Sequence, residues 1–140
     1  MIIKQISVFV ENKKGRLSEI TDTLAKNDIN IRALSIADTT DFGILRLIVD
    51  NADYTEKVLK EAGVTVSITN VVALKLQDKP GSLSKALLLL AENSVDVEYI
   101  YAFISKSENE AFVVLKINDE AKAVEILKNA GYEGYRSENV

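Results

Sequence analysis

Asp78-Lys79-Pro80-Gly81-Ser82-Leu83-Ser84-Lys85-Ala86-Leu87-Leu88-Leu89-Leu90-Ala91 reads as a tight turn running straight into a helix. Pro80 followed by Gly81 punctuates the chain, and a glycine there lets other groups approach the backbone closely. Beyond the turn, Leu83, Ala86, Leu87, Leu90 and Ala91 recur at the spacing of one helical face. Ahead of it, residues 71–77 alternate in the manner of a half-buried strand. The stretch is therefore a strand, a turn and an amphipathic helix.

The same unit occurs earlier. Gly15-Arg16-Leu17-Ser18 stands 66 residues before Gly81-Ser82-Leu83-Ser84. That spacing also lays Ile6, Val8 and Val10 on Val72, Leu74 and Leu76. It carries Leu17, Ile20, Leu24 and Ala25 onto Leu83, Ala86, Leu90 and Ala91, and Ile29 and Ile31 onto Val95 and Val97. Further along the spacing becomes 68, matching Val58-Leu59-Lys60 and Ala62-Gly63 to Ile126-Leu127-Lys128 and Ala130-Gly131. Two residues have been inserted between those points, and a hairpin turn is the natural place for them. An internal repeat of this length signals duplication of a whole structural unit.

Each half reads as βαββαβ. Hairpins are expected from 29–38 with 43–49, turning at Thr39, Thr40 and Asp41, and from 95–105 with 110–117, turning at Ser107, Glu108 and Asn109. Second helices follow at 52–62 and 119–130, with faces Thr55, Val58, Leu59, Ala62 and Ala123, Ile126, Leu127, Ala130. Gly63 and Gly131 stand where a left-handed C-cap is wanted. Fourth strands are expected near Val64 and Tyr132. The fold class is α+β: two tandem ferredoxin-like βαββαβ modules, 1–69 and 70–140, with antiparallel sheets and helices on one face. No Pro/Gly/Ser linker separates them, so rigidly joined modules are expected.

Composition narrows the function. The 140 residues contain no cysteine and no histidine, which removes disulfides, thiolate or imidazole metal sites and the commonest nucleophile–base pairs. No catalytic residue, metal site or cofactor is expected. A net charge of −4 argues against nucleic acid, despite the local run Lys13-Lys14-Gly15-Arg16. The alternating N-terminus does not read as a signal peptide, and the apolar run from Ala86 to Ala91 is too short to cross a bilayer. A cytoplasmic protein without a membrane segment is expected.

The turns before the leading helices carry the chemistry. Amides of Gly81, Ser82 and Leu83 are expected to point outward at the positive end of the helix, a setting that favours a small carboxylate. The plain alternative is that Asp78 and Ser82 merely cap the helix.

Asp78-Lys79-Pro80-Gly81-Ser82-Leu83, between an alternating strand and a helix in a βαββαβ frame, resembles the ACT domain family, whose hallmark is Asn or Asp, one residue, Pro, Gly, one residue, Leu. Asn12-Lys13-Lys14-Gly15-Arg16-Leu17 stands at the same place in the first half, with Lys14 in place of the proline. Val8-Phe9-Val10-Glu11-Asn12 also resembles the opening of acetolactate synthase small regulatory subunits. The resemblance implies two modules that bind an amino acid at domain interfaces and regulate enzymes of amino-acid metabolism. It implies that Asn12, Gly15, Arg16 and Leu17, and Asp78, Gly81, Ser82 and Leu83, form ligand loops. Their amides would hold the α-carboxylate. Asn12 or Asp78, or carbonyls on the second strands near Ser35, Ile36 and Ala37 and near Tyr101 to Phe103, would hold the ammonium.

The two loops are expected to be unequal, because Asn12 is neutral, Asp78 repels a carboxylate, and Arg16 adds positive charge that Ser82 does not. On the sheet faces away from the helices, Phe9, Ile44, Ile48, Ala73, Phe112 and Val114 are expected, an apolar surface suited to a second module or subunit. Leu88 and Leu89, off the helix's core face, suggest a homodimer contact, with a broad buried stripe as the alternative. Tyr99, Tyr101 and Phe103 alternate along one strand, as packing residues or, alternatively, as pocket lining. The expected function is an amino-acid sensor that is not an enzyme and passes its signal to a partner. The alternative is a regulatory subunit of a biosynthetic enzyme such as acetolactate synthase.

Overall fold

The duplicated pattern becomes ten elements in a computed structural model, which describes residues 1–38, 41–104 and 108–135. In chain order they are β1 (Ile2–Glu11), α1 (Arg16–Lys26), β2 (Ile31–Asp38), β3 (Phe42–Val49), α2 (Ala52–Glu61) and β4 (Val66–Gln77). Then follow α3 (Ser82–Glu92), β5 (Val97–Ala102), β6 (Glu110–Ile117) and α4 (Glu120–Asn129). Two compact units emerge: Lys4–Thr69, and Asn70–Val140 joined by Met1–Ile3. These are two ferredoxin-like α+β modules in tandem. The turn residues Thr39, Thr40 and Ser107 lie outside the described residues.

In the first unit β3 lies between β1 and β2, antiparallel to both; in the second, β6 lies between β4 and β5 in the same way. Ile36 pairs with Leu45 and Ala102 with Val113, so the spacing of 66 has already become 68 across the hairpin. The two extra residues lie in that turn. Edge strands β2 and β5 share a further irregularity: register shifts occur between Ile31 and Ala33, and between Val97 and Tyr99. A bulge twists an edge strand and weakens it as a template for unwanted pairing.

Alternation puts every second residue of a strand against the helices. In the first unit Ile6, Val8, Val10, Leu45 and Leu47 meet Ile20 and Leu24 of α1 and Val58 and Leu59 of α2. In the second, Val72, Leu74, Leu76, Val113, Leu115 and Ile117 meet Ala86, Leu90, Ala123 and Leu127. Each fully buried aliphatic side chain contributes about 1.5–3 kcal/mol. The helix faces are narrower than the periodicity suggests. Ala25, Ala62, Ala91 and Ala130 are exposed, as are Leu17 and Leu83, because only the middle turns of each helix lie over the sheet. Leu88 is exposed, whereas Leu89, expected beside it, is half-buried against the core.

Gly63 and Gly131 end α2 and α4 with φ of 80° and 90°. Asn51 and Asp119 open the same helices by accepting from the amides of Tyr54 and Lys122. Among the described residues, the fourth strand expected near Tyr132 is represented by an isolated bridge between Leu74 and Gly134. Beside β4, the backbone partners are shared: Ala73 donates to the Met1 carbonyl (2.8 Å) and accepts from Tyr135 (3.1 Å), and Lys75 donates to Glu133 (2.9 Å). Gly134 lies so close to Met1 that an added Cβ would sit 2.6 Å from the Met1 Cα. The start of the chain thus occupies space that a longer strand would need.

Candidate functional site

A chain leaving β1 must turn sharply to enter α1, and the backbone bonds of the turn show how it does so. Asn12 donates to the Asp41 carbonyl at the hairpin tip (3.0 Å), and Lys13 donates to Glu11 (2.8 Å). Gly15 then takes a left-handed conformation, φ 83° and ψ −4°, which a Cβ would strain. The first helical bond runs from Glu19 to the Gly15 carbonyl at 3.0 Å. Glycine has no side chain with which to cap α1, so the amides that precede this bond keep the helix start open to an anion.

The second turn is built alike. Gly81 (φ 89°, ψ −12°) is the N-cap of α3 and Ser82 its first helical residue, with no side-chain cap. Helix capping by Asp78 and Ser82, the plain alternative, is therefore not what these residues do. One expectation needs correcting in both loops. The middle amide of each expected trio is taken by the turn: Arg16 donates to Lys13 (3.2 Å) and Ser82 to Lys79 (3.3 Å).

In the first unit the loop borders a cavity of about 380 Å³. Its wall is Val10, Glu11, Asn12 and Lys13 from the end of β1 and the turn, Gly15 to Ser18 from the helix start, Ile36 and Asp38 from β2, and Gly43 from β3, with Lys14 excepted. Asn12, Gly15, Arg16, Leu17 and Ile36 were all expected at a ligand site from the sequence, and the fold brings them together. Asp38 and Gly43 were not. Ligand pockets run from about 300 to 1,000 Å³, so this one suits a small molecule. Most of its wall is exposed, which makes it an open cleft beside edge strand β2.

Charges along the cleft are mostly satisfied in place. Lys13 pairs with Glu11 at 2.7 Å and Arg16 with Glu19 at 3.1 Å. The Lys13 ammonium, bonded to the carboxylate, holds Glu11 below its usual range, with a smaller contribution from Arg16. Arg16 is therefore less available as extra positive charge than its sequence position suggests. Apolar wall comes from Val10, Leu17 and Ile36, of which Leu17 and Ile36 remain 44% and 45% exposed.

Ser35 and Tyr101 are placed differently. Ile36 and Ala102 face the helices, so their neighbours Ser35 and Tyr101 project from the opposite face, where Ser35 lies across from Arg46 and Tyr101 across from Val114. Tyr101 stacks on Tyr99 there at 6.4 Å between ring centroids. Phe103 is buried against Phe112 and Tyr135, with centroids 6.0 and 4.5 Å away. On this face Phe9 and Ile44 of the first unit are exposed, whereas Ile48 of the same unit and Ala73, Phe112 and Val114 of the second are buried. In the second unit Asp78, Gly81 and Leu83 are exposed and Ser82 is half-buried. Where Ile36 and Asp38 stand in the first unit, the second has Ala102 and Ile104.

No helix of the described residues is long and apolar enough to cross a membrane, and no group of three or more acidic residues among them could hold a metal ion. No curated protein matches the chain. Protein BT0572 from Bacteroides thetaiotaomicron has a similar structure, with 43% identity and a TM-score of 0.89 over 95% of this chain and 91% of that one. The regulatory subunit of aspartate kinase from Thermus thermophilus, in its ligand-free form, shares the fold at 14% identity and a TM-score of 0.65, covering 94% and 95%. That from Thermus flavus does so at 14% and 0.62, covering 93% and 95%. The family profile described as an ACT domain pair matches residues 1–138. With two βαββαβ modules and a glycine-opened helix in each, the chain belongs to the ACT domain pair family, a class of regulatory modules.

Proposed function

We propose that the protein is an amino-acid sensor whose first unit binds a small zwitterionic amino acid in the cleft at the start of α1, and that it is not itself an enzyme. The observation that carries this reading is the cavity of about 380 Å³ that unites Asn12, Gly15, Arg16, Leu17 and Ile36 around an uncapped helix start. The carboxylate of the ligand sits at the helix-start amides that follow Arg16, where the helix dipole favours negative charge. Its side chain lies against Leu17 and Ile36. A second copy of the chain covers the open side of the cleft along β2, so the ligand and the homodimer stabilise each other. Ligand can shift a population only through a difference in affinity between two arrangements, and closed against open dimers supply that difference. The output passes to a partner protein.

Titration calorimetry of the full chain against the twenty amino acids tests this. Binding of at least one at micromolar to millimolar concentration is expected; no binding by any of them overturns the proposal.

A second reading is that the chain is the regulatory subunit of an amino-acid biosynthetic enzyme such as acetolactate synthase. Val8-Phe9-Val10-Glu11-Asn12 favours it, as does the fold shared along its length with aspartate kinase regulatory subunits. Co-purification with a large catalytic chain would select this reading over the free-standing sensor.

A further inference from the structure

We propose that Asp38 receives the ammonium of the bound amino acid, and that Gly43 opposite it sets the size of the ligand side chain; this rests on the first-unit cleft being the binding site. Asp38 and Gly43 are register partners on β2 and β3, and Gly43 also pairs with Val10 on β1. All three line the cavity. Gly43 is buried and has no positive φ, so its backbone does not require glycine. What it lacks is a side chain. A Cβ there would lie 3.3 Å from Asp38 Oδ1 and 3.5 Å from Ile36 Cγ1. The Asp38 carboxylate lies beside the space that this missing methyl leaves, close enough that a Cβ there would have to push it aside.

Charge points the same way. The four ionised side chains of the wall are Glu11, Asp38, Lys13 and Arg16, two of each sign. Glu11 is held by Lys13, and Arg16 by Glu19. Asp38 has no ion pair with a described residue, so it is the wall's uncommitted carboxylate. A wall without net charge, with one free acid and an apolar strip of Val10, Leu17 and Ile36, complements a molecule that is itself neutral overall but carries an ammonium and an aliphatic chain. The second unit lacks this arrangement. At the equivalent positions stand Ile104 and Ala111, the acid and the glycine replaced together, and the acid of its loop is Asp78. The ligand class is therefore the small aliphatic amino acids, bound in the first unit.

The test is calorimetry of wild type, Asp38→Asn, Asp78→Asn and Gly43→Ala with L-alanine, L-valine, L-leucine, L-lysine and L-aspartate, and with 3-methylbutanoate, which lacks the ammonium. Wild type is expected to prefer the aliphatic probes over L-lysine and L-aspartate. Hydrogen bonds to charged groups contribute about 1.5–3 kcal/mol, so Asp38→Asn should weaken L-valine roughly ten- to a hundredfold while binding 3-methylbutanoate no more weakly than wild type does. Gly43→Ala should weaken L-leucine more than L-alanine, and Asp78→Asn should change none of them. If wild type binds L-valine and Asp38→Asn binds it equally, or if Asp78→Asn is the variant that loses it, the assignment of Asp38 is wrong while the sensor reading stands. Preference for L-lysine or L-aspartate overturns the ligand class. Binding of no amino acid by wild type overturns both readings.

Discussion

The turn from Glu11 to Glu19 and the turn from Gln77 to Lys85 have one backbone and two chemistries. Bond for bond they agree: Asn12 to Asp41 and Asp78 to Asn109 at 3.0 and 2.9 Å, Lys13 to Glu11 and Lys79 to Gln77 at 2.8 and 2.9 Å. Their glycines differ by only a few degrees in φ. Yet one turn contains the chain's single proline and the other has Lys14 in its place. The shape is therefore set by the left-handed glycine and by the tether to the hairpin tip, and proline only rigidifies it. Side chains then diverge on this shared frame: Asn12 against Asp78, Arg16 against Ser82, Asp38 against Ile104.

The comparison can be broken most forcefully in the cores. Leu24 and Leu90 are equivalent and fully buried, so Leu24→Ala and Leu90→Ala should each cost about 2–5 kcal/mol in denaturant unfolding. A cost below 1 kcal/mol at either site would show that the two units are not built alike. Next come the glycines. Gly15→Val and Gly81→Val each force a β-branched residue into the left-handed region, at about 1–2 kcal/mol. Both should lower the midpoint of thermal unfolding, but only Gly15→Val should abolish amino-acid binding. Equal loss from both would mean that the two turns share the ligand.

Smaller effects sharpen the contrast. Lys14→Pro should stabilise by about 0.4–1 kcal/mol, because the matching turn already accepts proline at that place. The reverse change, Pro80→Lys, should cost a similar amount; opposite signs would separate the backbones. Smallest is the titration of Glu11. Its folded value lies below the ordinary 4.5, so its contribution is complete above pH 4.5 and is lost as pH falls through the lower folded value. Lys13→Ala should raise the Glu11 midpoint observed by NMR, and added salt should narrow the difference.

Much of the fold was legible because duplication supplies an internal control. Val10, Gly15 and Leu24 each have a counterpart at a spacing of 66, and periodicity alone then separates strand from helix. The loop half of the cleft was legible for the same reason. Asp38 and Gly43 were not: neither is repeated, and only the register of β2 on β3 places one across from the other. Ser35 and Tyr101 stand for main-chain carbonyls on the second strands, a reading that the facing of their side chains does not decide. Leu89 packs partly against the core, as the broad-stripe alternative has it, while Leu88 stays exposed. What a sequence leaves unwritten is tertiary placement.

The contact of Met1 with Ala73 and Gly134 means that the second unit is not continuous in sequence. Met1 has to reach Ala73 across the whole of the first unit, a loop closure that a module continuous in sequence does not need. A fragment starting at Asn70 would leave the amide of Ala73 without its acceptor, and a side chain added at Gly134 would collide with Met1.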